Sequence, residues 1–125
     1  MTLQNQPTSE VKIEVIQAGM ASRHQSEEFP PIPLERTNAT GLKHLAGTIS
    51  MARDGPDTAT SDFFICVSDQ PELDFGGRRN PDGQGFAAFG RVLSGMQVVR
   101  RIQQSKAHDQ DLVPPVRIMS IRRMP

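Results

Sequence analysis

The sequence predicts an antiparallel, mainly β domain. Three observations carry this: five short segments with strand patterning, a single stretch with helical spacing, and long connections rich in Gly and Pro. At 125 residues the chain suits one domain, 1–125, and is too short for two ordinary ones. Residues 1–10 are polar and read as an arm, leaving 11–122 as the core.

The elements follow in order. In VKIEVIQ, Val11, Ile13 and Val15 alternate with Lys12 and Glu14, a period-two strand signal with Gln17 in phase on the apolar side. A polar amide there lies past the buried part of the strand or reaches toward a group that needs it. Residues 18–46 have little periodicity, and Phe29-Pro30-Pro31-Ile32-Pro33 is extended because proline restricts itself and its predecessor. So long an irregular stretch often belongs to a binding surface. Gly47–Ala52 is a short strand, Arg53–Ser61 is turn-rich around Gly55-Pro56-Asp57, and Phe63–Val67 is apolar on both faces, as a central strand is. Residues 69–85 form a second long loop. Phe86–Val92 is a strand, and Met96–Gln104 is a helix with Val98, Val99 and Ile102 at one-face spacing. A last strand covers Val116–Arg122, after Pro114-Pro115.

Composition removes several function classes. Lys plus Arg and Asp plus Glu are 14 each, so nothing electrostatic points to nucleic acid or a membrane surface. The arginines gathered near the end (Arg100, Arg101, Arg117, Arg122 and Arg123) read as solvated faces. One cysteine, Cys66, excludes an intramolecular disulfide, and its apolar neighbours make it a small buried hydrophobe. No apolar stretch approaches the ~20 residues of a membrane span, and MTLQNQPTSE lacks the plan of a signal peptide. As written the chain is expected in the cytoplasm; an export signal on a longer native chain would send it to the periplasm.

Conventional catalytic constellations are lacking too. His24, His44 and His108 have no metal-ligand spacing with one another or with Cys66, so neither a metal nor a cofactor is expected. Ser61 beside Asp62 has no Gly-x-Ser-x-Gly elbow around it. The four glycines of 69–85 precede no Gly-Lys-Ser/Thr ending, and turn chemistry accounts for them. Prolyl isomerisation needs none of these groups. Turning an X–Pro bond crosses a barrier of ~20 kcal/mol with nothing covalent exchanged. A catalyst needs an apolar pocket for the ring, hydrogen bonds that hold the carbonyl side, and a donor aimed at the prolyl nitrogen as it becomes basic.

Five ordered blocks resemble the cyclophilin family of peptidyl-prolyl cis-trans isomerases. They are VIQAG (15–19), GTISMARDGPDTATSDFFICV (47–67), Leu73-Asp74, FAAFGRV (86–92) and GMQVVRRI (95–102). The likeness runs from about Val11 to Arg122, and the 69–90 loop resembles that of a bacterial subgroup. It implies a cyclophilin-like antiparallel β-barrel, here N-terminally truncated, that isomerises X–Pro bonds in peptides or unfolded protein clients. By position, Phe64 is implied as the floor of the proline pocket, with Val15 and Leu73 as walls. Gln17 is implied as the glutamine that orients the catalytic arginine and bonds substrate. Ala52, Arg53 and Asp54 are implied to pair with the peptide backbone. Asp62 stands where the family usually has Gln, Phe86 where it often has His, Glu72 where it often has Trp, and Glu14 where an aromatic is common. These changes bear on peptide preference.

One element of the pattern is missing. The family's catalytic arginine lies in a Phe-x-Arg block before the glutamine strand, and upstream of Val11 there is neither an arginine nor an aromatic. The nearby substitutes are Arg23 and Arg53. A fragment or late start site is therefore expected, ahead of a genuinely short paralogue. Besides the isomerase reading stand a module that grips proline peptides without turning them, and a β-rich structural domain with no peptide site.

Overall fold

A computed structural model describes residues 1–20 and 29–125. Arg23 and His24 lie outside the described residues. Four strands, β1 (Val15–Ala18), β2 (Thr48–Met51), β3 (Phe63–Cys66) and β4 (Ala87–Arg91), form one antiparallel sheet in the order β1-β3-β2-β4. Among the described residues, two helices, α1 (Thr37–Thr40) and α2 (Met96–Gln103), and a 3-10 turn, Pro71–Leu73, interrupt the connections. The apolar Phe63–Val67 run takes an interior position in the sheet because both its edges find partners, β1 on one side and β2 on the other.

Register sets the site. Gln17 pairs with Phe64, Phe64 with Ser50, and Ser50 with Ala88 beyond an irregularity at Ile49/Ser50. Directly paired residues point to the same face of a sheet. One row across the sheet therefore carries a glutamine at its open edge and a phenylalanine next to it. Ile13, Val15, Phe64, Cys66 and Leu73 form the core on this face, with Met1, Ala52 and Phe86 packed against it.

Several expectations are corrected. The first strand covers only Val15–Ala18, because the side-chain amide of Gln6 takes over the backbone of Ile13. Gln6 Nε2 donates to Ile13 O (2.6 Å), and Ile13 N donates to Gln6 Oε1 (3.2 Å). Residues 1–10 are accordingly no free arm: Gln6 is 1 % exposed, and Met1 and Val15 exchange backbone hydrogen bonds. The strand expected at Val116–Arg122 is absent. That segment is exposed and unpaired, since an alternating sequence forms a strand only beside a partner. A small hairpin, β5 (Ala107–His108) with β6 (Asp111–Leu112), precedes it instead. No closed barrel forms among the described residues: β1 and β4 are the edges of an open sheet. The one-turn helix α1 was not anticipated; it ends on Gly41, whose φ of 75° suits a left-handed C-terminal residue. No described helix is long and apolar enough to cross a membrane.

Candidate functional site

The floor of the site is built by the sheet. Phe64 is 3 % exposed, lies edge-on to Phe86 (centroids 5.7 Å apart, 84°) and stacks on His44 (5.9 Å, 19°). His44 is itself fixed. Its Nδ1 lies 2.8 Å from Asp74 Oδ1 and its Nε2 2.8 Å from Ser50 Oγ, while its backbone N donates to the same Asp74 oxygen (2.9 Å). Burial pushes the His44 pKa below its ordinary value, and the hydrogen bond and charge of Asp74 oppose that shift. In the neutral ring Nδ1–H donates to Asp74 and Nε2 accepts from Ser50. This Ser-His-Asp chain looks like hydrolase machinery, but Ser50 is 0 % exposed and no substrate can reach it. Its work is to hold the ring beneath Phe64.

Loops build the rim. Arg53 leaves the end of β2 and lies over Phe86, 4.8 Å from the ring centroid. Its Nε and Nη2 donate to Gly85 O (2.9 and 2.6 Å) and its Nη1 to Asp54 O (3.0 Å). Nη1 and Nη2 also form a two-pronged pair with Asp82 (2.8 and 3.0 Å). All five guanidinium N–H donors are thereby committed. The pair holds the Asp82 carboxyl below its ordinary pKa, with the Arg53 hydrogen bond the main cause. Gly85 lets its loop pack against the Asp74–Phe75 backbone: its φ is 71°, and a Cβ there would meet Asp74 C at 2.6 Å and Phe75 N at 2.7 Å. Gly19 does the same for Asp62, whose carboxyl occupies the space a side chain at 19 would need.

Floor and rim enclose a cleft of about 440 Å³. The nine residues that the resemblance implies as the site line it: Val15, Gln17, Ala52, Arg53, Asp54, Asp62, Phe64, Leu73 and Phe86. Met1, Ile13, Thr58, Thr60 and Arg79 line it too, and nothing in the sequence assigned them to it. Ile13 was legible as the neighbour of Val15 on one strand face. The others reach the cleft across loops, where no periodicity signals them. A separate groove of about 230 Å³ runs along Ile32–Glu35, Met51, Ala59 and Phe89.

The backbone near Arg53 is partly occupied. Ala52 N donates to Asp62 O (2.9 Å), Asp54 N to Thr58 Oγ1 (3.1 Å), and Asp54 O accepts from Arg53 and from Asn80 Nδ2 (3.2 Å). Among the described residues, Ala52 O and both main-chain groups of Arg53 have no such partner. Cys66 is 0 % exposed, and burial pushes its thiol up to about 12, as an inert core residue requires. No group of three or more His, Cys, Asp or Glu residues suited to a metal occurs among the described residues.

Residues 5–123 match the family described as cyclophilin type peptidyl-prolyl cis-trans isomerase/CLD. Among curated proteins, the chain is 41 % identical over 91 residues to peptidyl-prolyl cis-trans isomerase A of Dickeya dadantii, covering 72 % of this chain and 46 % of that protein. It is 34 % identical over 114 residues to a peptidyl-prolyl cis-trans isomerase of Acinetobacter baylyi, covering 86 % and 58 % respectively. It is 36 % identical over 90 residues to peptidyl-prolyl cis-trans isomerase B of Escherichia coli, covering 71 % and 54 %. The chain spans about half the length of these relatives.

Proposed function

The chain belongs to the cyclophilin-type peptidyl-prolyl cis-trans isomerase family, and from that premise we propose that its cleft binds X–Pro segments of peptides or unfolded proteins and accelerates their isomerisation. The observation that carries this reading is the meeting of all nine candidate residues in one cleft with an apolar floor and a polar rim. Its volume, about 440 Å³, suits a proline ring with its neighbours. In this reading Phe64, Val15, Leu73 and Phe86 grip the ring. Gln17, at the exposed end of the same row, bonds the peptide, and Ala52 O with the Arg53 main chain supplies the backbone pairing. Asp54 contributes less than its position implies, because its main-chain groups already serve the loop. Asp62 bears on which peptide is preferred.

The test is exchange NMR on a short Ala-Pro peptide with the 125-residue chain. Acceleration of cis–trans exchange, together with shifts at Gln17 and Phe64, is the expected result. A rate equal to the uncatalysed one and no shifts at those residues would sink the reading. A binding-only module is the second reading, and one observation favours it: Arg53, the described arginine first considered as a substitute donor, has no N–H left to offer. Shifts without acceleration would select it.

A further inference from the structure

We propose that Asp62 is the specificity-determining residue of this cleft, its carboxylate selecting X–Pro peptides that carry a Lys or Arg two residues from the proline; this rests on the proline-cleft reading above. Register places it. Ala18 and Met51 both pair with Phe63, so one step on along the strands Gly19, Asp62 and Ala52 form a further row. The hydrogen bond from Ala52 N to Asp62 O (2.9 Å) carries the ladder into that row. Residues two apart on a strand share a face, so this row lies on the face of Gln17, Phe64 and Ser50, and Asp62 lines the same cleft as Phe64. Its row neighbours are a glycine and an alanine. The Asp62 carboxyl fills the space beside Gly19 and is the one charged group of the row.

That charge is unanswered. Among the described residues the ion pairs join His44 to Asp74, Arg53 to Asp82, Arg78 to Glu72 and His108 to Asp109, and none includes Asp62, which is half-buried. Its carboxylate accepts one long hydrogen bond from a neutral donor, Ser61 Oγ (3.5 Å). Neither arginine of the cleft serves it. Arg53 has committed its donors to Asp82 and two backbone carbonyls. Arg79 is held on Val11 O (2.6 Å), before β1 begins, whereas Asp62 faces Gly19, just past the end of β1. Asp54, exposed on the same rim and also outside those ion pairs, adds a second negative charge. A carboxylate partly removed from water without a counter-charge gains most from a cation brought to it.

A basic peptide brings one. Residues two apart along a strand are separated by ~6.6 Å, which is the spacing of Phe64 and Asp62 and equally that of a proline and the residue two places from it in an extended peptide. With the ring on Phe64 and the backbone on Ala52 O and the Arg53 main chain, that residue's side chain comes over Asp62, flanked by Gly19 and Ala52, which are too small to block it. Lysine or arginine there forms a charge-assisted hydrogen bond, whereas glutamate meets like charge. The contact is the same in ground and transition states, so it acts on KM and Kd and leaves kcat alone. The resemblance sets a neutral Gln at this position, so the charge, and the preference it creates, belong to this chain.

The test uses short capped alanine peptides with one proline, carrying Lys, norleucine or Glu two residues before or two residues after it, read by titration and exchange NMR at low salt. At one of the two positions Lys should bind roughly fivefold tighter than norleucine, which has the same stem without the charge, and Glu weaker than either. Added salt should shrink the difference. In Asp62→Asn and Asp62→Gln the Lys-to-norleucine ratio should fall to about one. The ratio is internal to each protein, so a change in overall affinity cancels. Should neither variant fold, the Asp62 carboxyl carbon resonance of wild type decides: it should shift with the Lys peptide and not with norleucine. Overturning results are equal affinity for all three residues at both positions, a ratio that survives in Asp62→Asn, or a carboxyl resonance that the Lys peptide leaves unmoved. Acceleration with equal affinities overturns this inference and leaves the isomerase reading standing. A Lys preference in Kd without acceleration supports the inference and overturns the isomerase reading. Wild type that binds none of the peptides overturns both.

Discussion

The floor and the rim of the cleft are built on opposite plans. The floor is sheet and core: Phe64, Val15 and Leu73 are almost fully buried, the strand ladder setting the first two and the 3-10 turn the third. The rim is loop and charge: Arg53, Asp82, Gly85 and Asn80 are held by hydrogen bonds that bridge sequence gaps of 26 to 32 residues. A floor made by packing fixes where an apolar ring can sit. A rim made of directional bonds fixes which polar groups face it, and it can change without altering the fold.

The comparison breaks most sharply at Phe64. Phe64→Ala removes the ring stacked on His44 and edge-on to Phe86, at a cost of about 3–5 kcal/mol, measured by denaturant unfolding. That is a large share of the ~5–15 kcal/mol that typically holds a domain folded. Phe64→Leu is the gentler variant, expected to stay folded and to weaken proline-peptide binding. If Phe64→Ala left both stability and binding intact, the floor would not be the packed element described here.

A smaller effect is expected at the rim. Arg53→Ala leaves Gly85 O without its donor, leaves Asp54 O with Asn80 Nδ2 alone, and frees Asp82. Hydrogen bonds to a charged group contribute about 1.5–3 kcal/mol net. Asp82→Asn, which removes only the partly exposed carboxylate's charge and leaves the carbonyl contacts of the buried Arg53 guanidinium in place, should cost less. Equal losses in the two variants would show that the carbonyl contacts contribute nothing. Peptide binding should fall in Arg53→Ala through misplacement of Phe86, beneath the guanidinium.

The same division explains what could be read from the sequence. Strands β1 to β4 and helix α2 were legible because period-two alternation, apolar runs and one-face spacing are local signals. The resemblance then added the cleft residues on those strands. Arg79, Thr58, Thr60 and Met1 were not legible, because their place depends on where long loops return. Gln6 lay hidden for a different reason: in a polar decade nothing marks the one amide that substitutes for a strand partner. Val116–Arg122 erred the other way, since its alternation is real but no neighbouring strand satisfies its backbone. Short elements such as the β5–β6 hairpin, with two residues a side, are too brief to leave a pattern.

The smallest expected effect lies where floor and rim meet, at His44. An unfolded chain titrates this imidazole near its ordinary value of 6.5, whereas in the fold its pKa is lower. Below that value the unfolded chain takes up a proton that the folded chain resists. Stability is therefore complete above about pH 6.5 and declines as the pH falls toward the folded value. The decline is modest because burial and Asp74 pull in opposite directions. Comparing wild type with His44→Gln by denaturant unfolding at pH 7 and pH 5.5 isolates it. The variant loses stability at both pH values, since Ser50 and Asp74 lose their shared partner. Its slope between them should flatten relative to wild type. An unchanged slope would mean that the fold does not lower the His44 pKa, and the floor would then carry no pH dependence of its own.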